Sequence, residues 1–378
     1  MTGLRSPATG RALILNGHAL TAGDERWPVV DGIPFLRADR RALAEAALVA
    51  LDAGDAETAL VLLLGDQDGW ARTPPPDETA RRHLARGHET LSFREAMDLL
   101  AFGPVATYFA HRWSDPTFLS GLALAEAHWH EPRRVLELAC GAGHFLREFT
   151  RFAPDVTGGD LVFAKLWLAR HYVAPNATLV CFDAAAPWPF ADASADLVFC
   201  HDAFYFLPDK PHVAAEMLRV AGGGRVLVGH THNAAVDNLS AGAPMEPAAY
   251  AALFGTALLY DDRELTQSVT EARPPRPASP AMLMDAPAIA LAAGLAVHDT
   301  PKPASSGLAM PRAGAALRLN PLYANGEIAW PSDRYAREYG QLATYPTRTE
   351  APAEAVAGTE AIDAMARRRV LVDLPERW

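Results

Sequence analysis

One stretch constrains the fold of this chain more than any other: residues 135–145, which read Val-Leu-Glu-Leu-Ala-Cys-Gly-Ala-Gly-His-Phe. An apolar run that carries one carboxylate, Glu137, passes into a turn containing Gly141 and Gly143, and helical spacing follows over 145–149. Glycine lets such a turn bring its backbone close to a ligand, and the first N–H groups of the helix are free to bind it. The stretch therefore predicts a strand, a ligand-binding turn and a helix.

The elements that follow alternate between strand and helix patterns. Strands are predicted at 133–139, 155–160, 177–182, 195–200 and 225–230, with helical spacing or glycine turns between them. Strands that alternate with helices at this spacing form a parallel sheet wound by right-handed crossovers. The centre of the chain is therefore predicted to be an α/β domain.

A carboxylate at the end of the second predicted strand indicates the kind of ligand. Asp160 lies about twenty residues after the glycine turn, where a ribose-binding carboxylate is expected. It can accept hydrogen bonds from both ribose hydroxyls, which supports an adenosine-containing ligand without choosing between cofactors. The dinucleotide fingerprint requires a third glycine at position 146, and Leu146 stands there. This difference argues against a nicotinamide oxidoreductase.

Two motifs, in order, carry a resemblance to a known family. The pattern Glu-x-Ala-Cys-Gly-x-Gly at 137–143 resembles the first motif of class I S-adenosylmethionine-dependent methyltransferases, with Ala139 in place of its first glycine. Residues 182–198, Phe-Asp-Ala-Ala-Ala-Pro-Trp-Pro-Phe-Ala-Asp-Ala-Ser-Ala-Asp-Leu-Val, resemble the family's "Asp-Ala, Leu-Pro-Phe, Asp-x-Ser-Phe-Asp" segment. The resemblance covers about 133–231. It implies S-adenosyl-L-methionine as cofactor and a Rossmann-like, doubly wound, mostly parallel seven-stranded sheet, with a helical N-terminal region and insertions.

The resemblance also implies a set of cofactor-binding residues. Asp183 would bind the adenine amino group, Ala184 would lie beside the ring, and Glu137 would organise the pocket at the methionine end. The full set of predicted cofactor-binding residues is Glu137, Ala139, Gly141, Gly143, Asp160, Leu161, Asp183, Ala184 and His201.

Candidates for catalysis follow the fourth and fifth predicted strands. His201, Asp202 and Tyr205 come directly after the fourth strand, at the carboxyl edge where open α/β sheets bind ligands, and His230 is placed similarly after the fifth, with His232 close by. Methyl transfer is an in-line displacement from a sulfonium, so the enzyme supplies alignment and a deprotonated nucleophile. These side chains are suitable as a base or as groups that orient the acceptor. A purely structural histidine is the alternative for each imidazole.

Charge and cysteine content exclude several classes of protein. The net charge of −11 argues against a broad phosphate-binding face, and no nucleic-acid partner is expected. The cysteines, Cys140, Cys181 and Cys200, lie in apolar runs and form no Cys-x-x-Cys pair, which predicts free thiols, a reducing compartment and no metal site. Without an apolar run of about 18 residues or a signal-peptide pattern, we expect a soluble, cytoplasmic protein with no membrane partner.

The chain divides by pattern into six predicted segments. They are a small β element (1–37), a helical lid region (38–130), the S-adenosylmethionine-binding core (131–232), an insertion that would cap the substrate (233–285), the end of the core sheet (286–320) and a C-terminal extension (321–378). The first resembles a zinc-ribbon-like module that activates some transfer-RNA and protein methyltransferases, without its metal-binding cysteines. A β-hairpin packed on the main domain is the alternative.

Family resemblance also places the last strands of the sheet and the lid. A short helix is predicted at Ala288–Ala293, the sixth strand at Gly294–His298, and the seventh, antiparallel strand at Gly314–Leu319. Aromatic residues precede the core, and they are expected either to cover the substrate or to pack in the core: Phe102, Tyr108, Phe109, Trp113 and Phe118.

These observations together predict a methyltransferase that acts on an O, N or C atom of a small-molecule acceptor. The acidic charge, the absence of a basic stripe and the capping insertion favour this acceptor class. The first alternative is an RNA or protein methyltransferase, suggested by the zinc-ribbon-like start. The second is a non-catalytic cofactor-binding or scaffold protein, suggested by Ala139 and by the lack of an assured base. The acceptor itself and the oligomeric state are left open.

Overall fold

The computed structural model describes residues 3–67, 74–238, 242–296, 299–303 and 307–378, and an eleven-stranded sheet lies at its centre. The strands are β1 Ile14–Asn16, β2 Ala19–Ala22, β3 Glu25–Val30, β4 Ile33–Leu36, β5 Arg134–Leu138, β6 Asp155–Asp160, β7 Thr178–Phe182, β8 Leu197–His201, β9 Arg225–His232, β10 Ala257–Asp261, β11 Ala288–Ala293, β12 Ala316–Leu319, β13 Tyr323–Ala324, β14 Glu327–Ile328, β15 Glu354–Val356 and β16 Leu371–Val372. The α-helices are α1 Arg41–Asp52, α2 Ala56–Leu63, α3 Glu78–Gly87, α4 Phe93–Leu99, α5 Pro104–His111, α6 Pro116–Ala127, α7 His144–Phe149, α8 Phe163–Leu168, α9 Lys210–Ala221, α10 Pro247–Phe254, α11 Asp262–Thr270, α12 Asp333–Tyr339 and α13 Glu360–Arg367. Within the described ranges, no helix is both long enough and apolar enough to cross a membrane.

Seven neighbouring strands form the core of the sheet, in the order β7-β6-β5-β8-β9-β11-β10. The strands from β7 to β9 pair in parallel, whereas β11 runs antiparallel to both of its neighbours. Helices α7, α8 and α9 connect successive parallel strands, as the right-handed crossover rule requires of a doubly wound sheet. The predicted Rossmann-like, mostly parallel seven-stranded sheet is confirmed.

The last two core strands do not lie where the sequence analysis placed them. The helix predicted at 288–293 is wrong: these residues form β11 and are all buried. A short apolar run fits a strand covered on both faces, and periodicity alone does not separate it from a buried helix. The sixth strand is β10, which lies within the stretch 233–285 predicted as an insertion.

The two segments predicted as the sixth and seventh strands have other structures. Gly294–Ala296 contain no strand, and the rest of that prediction, residues 297 and 298, lies outside the described residues. Residues 316–319 do form a strand, β12, but it belongs to a separate three-stranded sheet with β15 and β16. The core sheet therefore closes with β10 and β11, before the C-terminal segments begin. The division into six segments as a whole stays a prediction.

The N-terminal strands extend the core sheet at its β7 edge. β1 to β4 form an antiparallel meander, and β4 then pairs in parallel with β7 through Phe35 opposite Cys181 and Leu36 opposite Phe182. Beyond β4, the buried Arg37 side chain donates a hydrogen bond to the Leu161 carbonyl (2.5 Å). The meander therefore buries the edge of β7 that would otherwise expose unpaired backbone groups.

Residues near the C-terminal end of the sequence fasten the helical region to the core. The Trp378 indole donates to the Ala110 carbonyl (2.6 Å), and Arg377 donates to the carbonyls of His88 (2.6 Å) and His171 (2.6 Å). Asp373 accepts a hydrogen bond from Arg147 on α7 (2.8 Å). These contacts hold helices α3 to α5 against the core beside the glycine turn.

Candidate active site

The glycine turn, residues 139–143, lies between β5 and α7 and is held in shape by the end of β6. The Gly141 N–H donates to Asp160 Oδ2 (2.9 Å), and the Val162 N–H donates to Asp160 Oδ1 (2.9 Å). Gly143 has φ of 83°, and a Cβ there would lie 2.9 Å from the Ala169 side chain. Backbone angle and close packing both require glycine at this position.

Ala139 occupies the place of the family's first glycine and keeps its conformation. Its φ is 53°, in the left-handed region that costs an L-residue about 1–2 kcal/mol. The Cβ is small enough to be accommodated, so the turn forms with modest strain. This departure from the family motif therefore leaves the geometry of the turn intact.

Glu137 leaves a buried hydrogen-bond acceptor beside the turn. Its side chain is 3% exposed, and its Oε2 atom makes no hydrogen bond to any described residue. Burial raises the pKa of the Glu137 carboxyl well above its usual range. A buried polar atom without a partner is rare in folded proteins, and a donor group of a ligand would satisfy it.

The other predicted cofactor residues follow neighbouring strands at the same edge of the sheet. Asp183 comes after β7, and one of its oxygens accepts from the Ala185 N–H (2.9 Å). The Ala184 carbonyl accepts from the Trp188 indole (3.0 Å), which fixes the backbone beside the predicted adenine position. The structure therefore places Glu137, Asp160 and Asp183 at the ends of β5, β6 and β7, as predicted for parallel strands.

Helix α5 lies over the glycine turn. A Cβ at Gly141 would be 3.1 Å from the Phe109 ring. The buried His144 donates a hydrogen bond from Nε2 to the Phe109 carbonyl (3.0 Å), so Nε2 carries the proton. Of the predicted lid aromatics, Phe109 contacts the turn and Tyr108 donates a hydrogen bond to Asp202. Trp113 and Phe118 pack in the core.

The second half of the site centres on Asp202, which follows β8. The hydroxyls of Tyr108 and Tyr205 donate to its carboxylate at 2.7 and 3.1 Å. The buried Arg112 guanidinium lies 3.5 Å from Asp202 and 3.3 Å from Asp115. Burial alone would raise the pKa of Asp202, but the charges of His230 and Arg112 outweigh it and hold the pKa at about 2.

A bulge in β9 directs His230 toward this network. Gly229 and His230 together lie opposite one residue of β11, and His230 has φ of 45°. Its Nδ1 is 2.9 Å from Asp262, and its Nε2 is 3.9 Å from Asp202. Burial would lower the pKa of His230, but the two carboxylates outweigh it and raise the pKa to about 9. The imidazole is therefore protonated at neutral pH in this arrangement.

The structure does not bring His201 into the network. Its ring packs against Gly121, Gly229 and the parallel ring of Phe199, and neither ring nitrogen makes a hydrogen bond of standard geometry to a described residue. Burial lowers the pKa of His201 well below its usual value. A neutral imidazole packed in this way fits the structural alternative better than a base or a cofactor contact.

Sequence reasoning missed four members of the network: Arg112, Asp115, Ser120 and Asp262. Asp115 caps helix α6, where its carboxylate accepts from the Thr117 N–H (2.9 Å), so a capping signal was present. Asp262 accepts from the Ser120 hydroxyl (2.8 Å) across 142 residues of sequence, and no local pattern announces such a contact.

Comparison with known proteins agrees with the geometry of the glycine turn. Residues 136–228 match a family model described as a methyltransferase domain. These residues form a class I S-adenosylmethionine-dependent methyltransferase domain. The zinc-ribbon-like interpretation of the first 37 residues is not tested by the comparisons and stays a prediction.

Two curated relatives of this methyltransferase domain are similar over part of their length. A demethylmenaquinone methyltransferase of Deinococcus radiodurans is 39% identical over 111 residues, which are 28% of this chain and 46% of that protein. A malonyl-[acyl-carrier protein] O-methyltransferase of Legionella pneumophila is 36% identical over 93 residues, 24% of this chain and 32% of that protein. The chain thus spans less than half the length of these relatives.

A solved structure with a similar arrangement is phosphoethanolamine N-methyltransferase 2 of Haemonchus contortus, in complex with phosphomonomethylethanolamine and S-adenosylhomocysteine. It is 17% identical, with a TM-score of 0.37, and the match covers 57% of this chain and 61% of that one.

Proposed function

We propose that this chain transfers the methyl group of S-adenosylmethionine to an O, N or C atom of a small-molecule acceptor. The observation that carries the proposal is the unpartnered Oε2 of Glu137, buried beside a glycine turn whose shape is fixed by Asp160. Glu137 would organise the methionine end of the cofactor, Asp160 would bind its ribose, and Asp183 its adenine amino group. When bound, the cofactor supplies an electrophilic methyl group.

The acceptor would lie at the Asp202 end of the site. The acceptor atom would take the methyl group from the sulfonium, sulfur would keep the electron pair of the broken bond, and the acceptor's proton would pass to water. Asp202 would orient the acceptor by accepting a hydrogen bond from it, with Tyr108 and Tyr205 fixing the direction of the carboxylate. Because the pKa of His230 is raised to about 9, its role in this arrangement is to hold Asp202 ionised.

A small acceptor is favoured because the acceptor end is covered. The Asp202 side chain is 9% exposed, and the Tyr108 side chain from α5 lies directly on it. Burial raises the pKa of Tyr339, and Asp115 and Asp202 both raise it further, so this residue of the C-terminal extension is close to the same carboxylates. A polymer would not reach this position without displacing α5, whereas a small molecule fits the enclosed arrangement. The names of the two curated relatives support this class.

We also propose that the protein works in a reducing compartment, the cytoplasm. Cys140, Cys181 and Cys200 are all buried free thiols. Burial raises the pKa of the Cys200 thiol, which keeps it protonated and unreactive. Free thiols of this kind are typical of proteins from reducing compartments.

The test is calorimetric titration with S-adenosylhomocysteine, with NAD as the control ligand. Wild-type protein should bind the nucleoside and not NAD. Asp160→Ala should weaken binding by at least about tenfold, because it removes hydrogen bonds to a charged acceptor and loosens the glycine turn. Asp155→Ala, at the opposite end of the same strand β6, is the matched control and should bind like wild type. A folded wild-type protein that binds neither ligand would overturn the proposal.

The acceptor class is tested with a methyl-labelled cofactor. We expect label from deuterated S-adenosylmethionine to enter the small-molecule fraction of a cell extract incubated with the protein, and to be lost with Asp202→Ala. Label that enters only RNA or protein would contradict the small-molecule assignment while leaving the methyltransferase assignment in place.

A further inference from the structure

Three residues at the acceptor end are arranged as ligands of a metal ion. Asp202, His230 and His232 each offer one ligand atom, and these atoms all lie within 4.8 Å of one another. Atoms that bind one ion lie about 2.0–2.2 Å from it and are therefore closer to one another than 4.8 Å. Side-chain shifts of less than about 1 Å would bring the three ligand atoms to these distances. Two imidazoles and one carboxylate on one side of an ion leave its other positions open to a further ligand.

His232 supplies a buried ring nitrogen without a hydrogen-bond partner. The residue is 6% exposed, and its Nδ1 has no hydrogen-bond partner among the described residues. The Asn238 side chain hydrogen-bonds to the ring, and the Tyr205 ring stacks on it at 4.0 Å with an angle of 16° between the planes. The imidazole is thus fixed in orientation while one buried nitrogen is left to bind something else.

His230 has the outer-sphere partner that metal-bound histidines usually have. Its Nδ1 is 2.9 Å from Asp262 Oδ2, and Asp262 Oδ1 accepts from the Ser120 hydroxyl at 2.8 Å. This leaves Nε2, 3.9 Å from Asp202 Oδ1, directed into the cluster. A carboxylate bonded to the far nitrogen of a ligating histidine fixes its tautomer and raises its basicity.

Charges around the cluster are compatible with a divalent cation. Three carboxylates lie in or beside the cluster: Asp202 after β8, Asp262 on α11 and Asp115 before α6. Among the described residues, Arg112 is the one guanidinium near them, 3.5 Å from Asp202. Metal binding would displace the proton that His230 carries in the metal-free arrangement, and with both imidazoles neutral the three carboxylates and one guanidinium sum to two negative charges. A divalent ion would balance them, and Arg112 limits how many anionic ligands the site can add.

The backbone also supports this assignment. Asp202 has φ of 55° and His230 has φ of 45°, so two of the three ligand residues are held in the left-handed region. Left-handed non-glycine residues cost free energy and cluster at sites where a side chain must be directed to a particular point. The bulge at Gly229 and His230 is such a device, since it turns His230 toward Asp202 and away from regular alternation along β9.

We propose that Asp202, His230 and His232 bind a first-row divalent transition-metal ion, such as Zn²⁺ or Mn²⁺, at the acceptor end of the site. Two nitrogen ligands favour this class over Mg²⁺ and Ca²⁺, which prefer oxygen ligands only. Cysteine spacing could not indicate this site, because its ligands are one carboxylate and two imidazoles. They lie at the ends of the neighbouring strands β8 and β9. Metal binding here does not depend on methyl transfer and is measured with the ion alone.

The experiment titrates chelator-treated, untagged wild-type protein with Zn²⁺ by calorimetry, with Mg²⁺ as the comparison ion. We expect one equivalent of Zn²⁺ to bind with a micromolar or tighter dissociation constant, and Mg²⁺ to bind at least tenfold more weakly. Co²⁺ should give visible absorption bands whose position reports nitrogen and oxygen ligands. His232→Gln and Asp202→Asn should each weaken Zn²⁺ binding at least tenfold and remove the Co²⁺ bands.

Controls distinguish this site from binding elsewhere. His128→Gln alters a buried histidine whose Nε2 is 3.0 Å from the Tyr260 hydroxyl, outside the cluster, and should bind Zn²⁺ like wild type. Circular dichroism and thermal unfolding check that each variant is folded. Absence of Zn²⁺ binding by wild type, or equal affinity in wild type, His232→Gln and Asp202→Asn, would overturn the assignment. S-adenosylhomocysteine binding by the metal-free protein is a separate measurement, so failure of one proposal is not failure of the other.

Discussion

The two halves of the candidate site are built in different ways. In the cofactor half, Asp160 accepts hydrogen bonds from backbone N–H groups of its own strand–turn–helix unit, and Glu137 keeps a buried oxygen without a partner. In the acceptor half, Asp202 receives the Tyr108 hydroxyl from 94 residues away and lies near Arg112, whose guanidinium also pairs with Asp115. The cofactor half is formed by residues close together in sequence and leaves a hydrogen-bond acceptor for a ligand. The acceptor half is assembled from distant segments, and its carboxylates are paired with hydroxyl groups and a guanidinium.

This difference predicts different costs of mutation. A side chain of the cofactor half should be removable with a loss of ligand affinity and little loss of stability. A side chain of the acceptor half should cost stability as well, because its removal leaves buried charges without partners. The predictions below test that contrast in order of expected size.

Arg112→Met should give the largest effect. The guanidinium is 3% exposed, and its removal leaves the buried carboxylates of Asp115 and Asp202 without their cation. Breaking a buried ion pair in this way costs about 3–5 kcal/mol of unfolding free energy. Urea denaturation of Arg112→Met and wild type measures this loss of unfolding free energy.

The matched control is Arg134→Met, which removes a largely exposed pair with Asp196 and should cost at most about 1 kcal/mol. Equal costs in the two variants would remove the contrast between buried and exposed charge on which the comparison depends.

His144, in the cofactor half, should make stability fall in mild acid. Burial lowers its pKa from 6.5 to about 3. Because the unfolded chain takes up the proton first, stability is lost as the pH falls from about 6.5 toward 3. Between pH 7 and pH 5 the expected loss from this group is about 2 kcal/mol.

The check is the unfolding free energy of wild type and His144→Gln at both pH values. Glutamine can donate to the Phe109 carbonyl as His144 does but does not titrate. We expect the variant to lose about 2 kcal/mol less than wild type over this interval. The same loss in both proteins would mean that His144 is not the group responsible.

Asp183→Ala should affect ligand affinity and hardly affect stability. Its carboxylate follows β7 and is bonded only locally, to the Ala185 N–H, among the hydrogen bonds described. Asp183→Ala would remove the hydrogen bond that we propose Asp183 accepts from the adenine amino group, and this should weaken S-adenosylhomocysteine binding by about tenfold, or about 1.4 kcal/mol. Asp192→Ala, in the same segment but on an exposed carboxylate paired with Arg219, is the control and should bind like wild type. A loss of stability as large as that of Arg112→Met would erase the distinction between the two halves.

The same contrast explains how much could be predicted from sequence. Glu137 and Asp183 were predicted from the family resemblance of two motifs, and Asp160 from its distance to the glycine turn; all three lie at the carboxyl ends of neighbouring parallel strands, which meet at one edge of the sheet. Arg112 and Asp262 were missed because their partners are fixed by tertiary packing and not by spacing along the chain. His201 has the right position in sequence, but its ring packs into the core.

The error at β11 has a related cause. A run of six buried residues rich in alanine has neither the alternation of a half-exposed strand nor the stripe of a half-exposed helix. Its pairing with β9 and β10, 27 or more residues earlier in the chain, decides the structure. Non-local pairing of this kind is what local patterns do not record.

Ala139→Gly should give the smallest effect, and in the opposite direction. Glycine relieves the left-handed φ of 53° at this position, a gain that is partly offset because glycine also gives the unfolded chain more freedom. We expect a net stabilisation of about 0.5 kcal/mol and unchanged S-adenosylhomocysteine affinity, since the shape of the turn is already set by Asp160. Ala164→Gly, in helix α8, is the matched control and should destabilise by about 1 kcal/mol. If Ala139→Gly instead destabilised the protein like its control, the Ala139 side chain would contribute packing that outweighs its strain, and the cofactor half would depend on side-chain contacts as the acceptor half does.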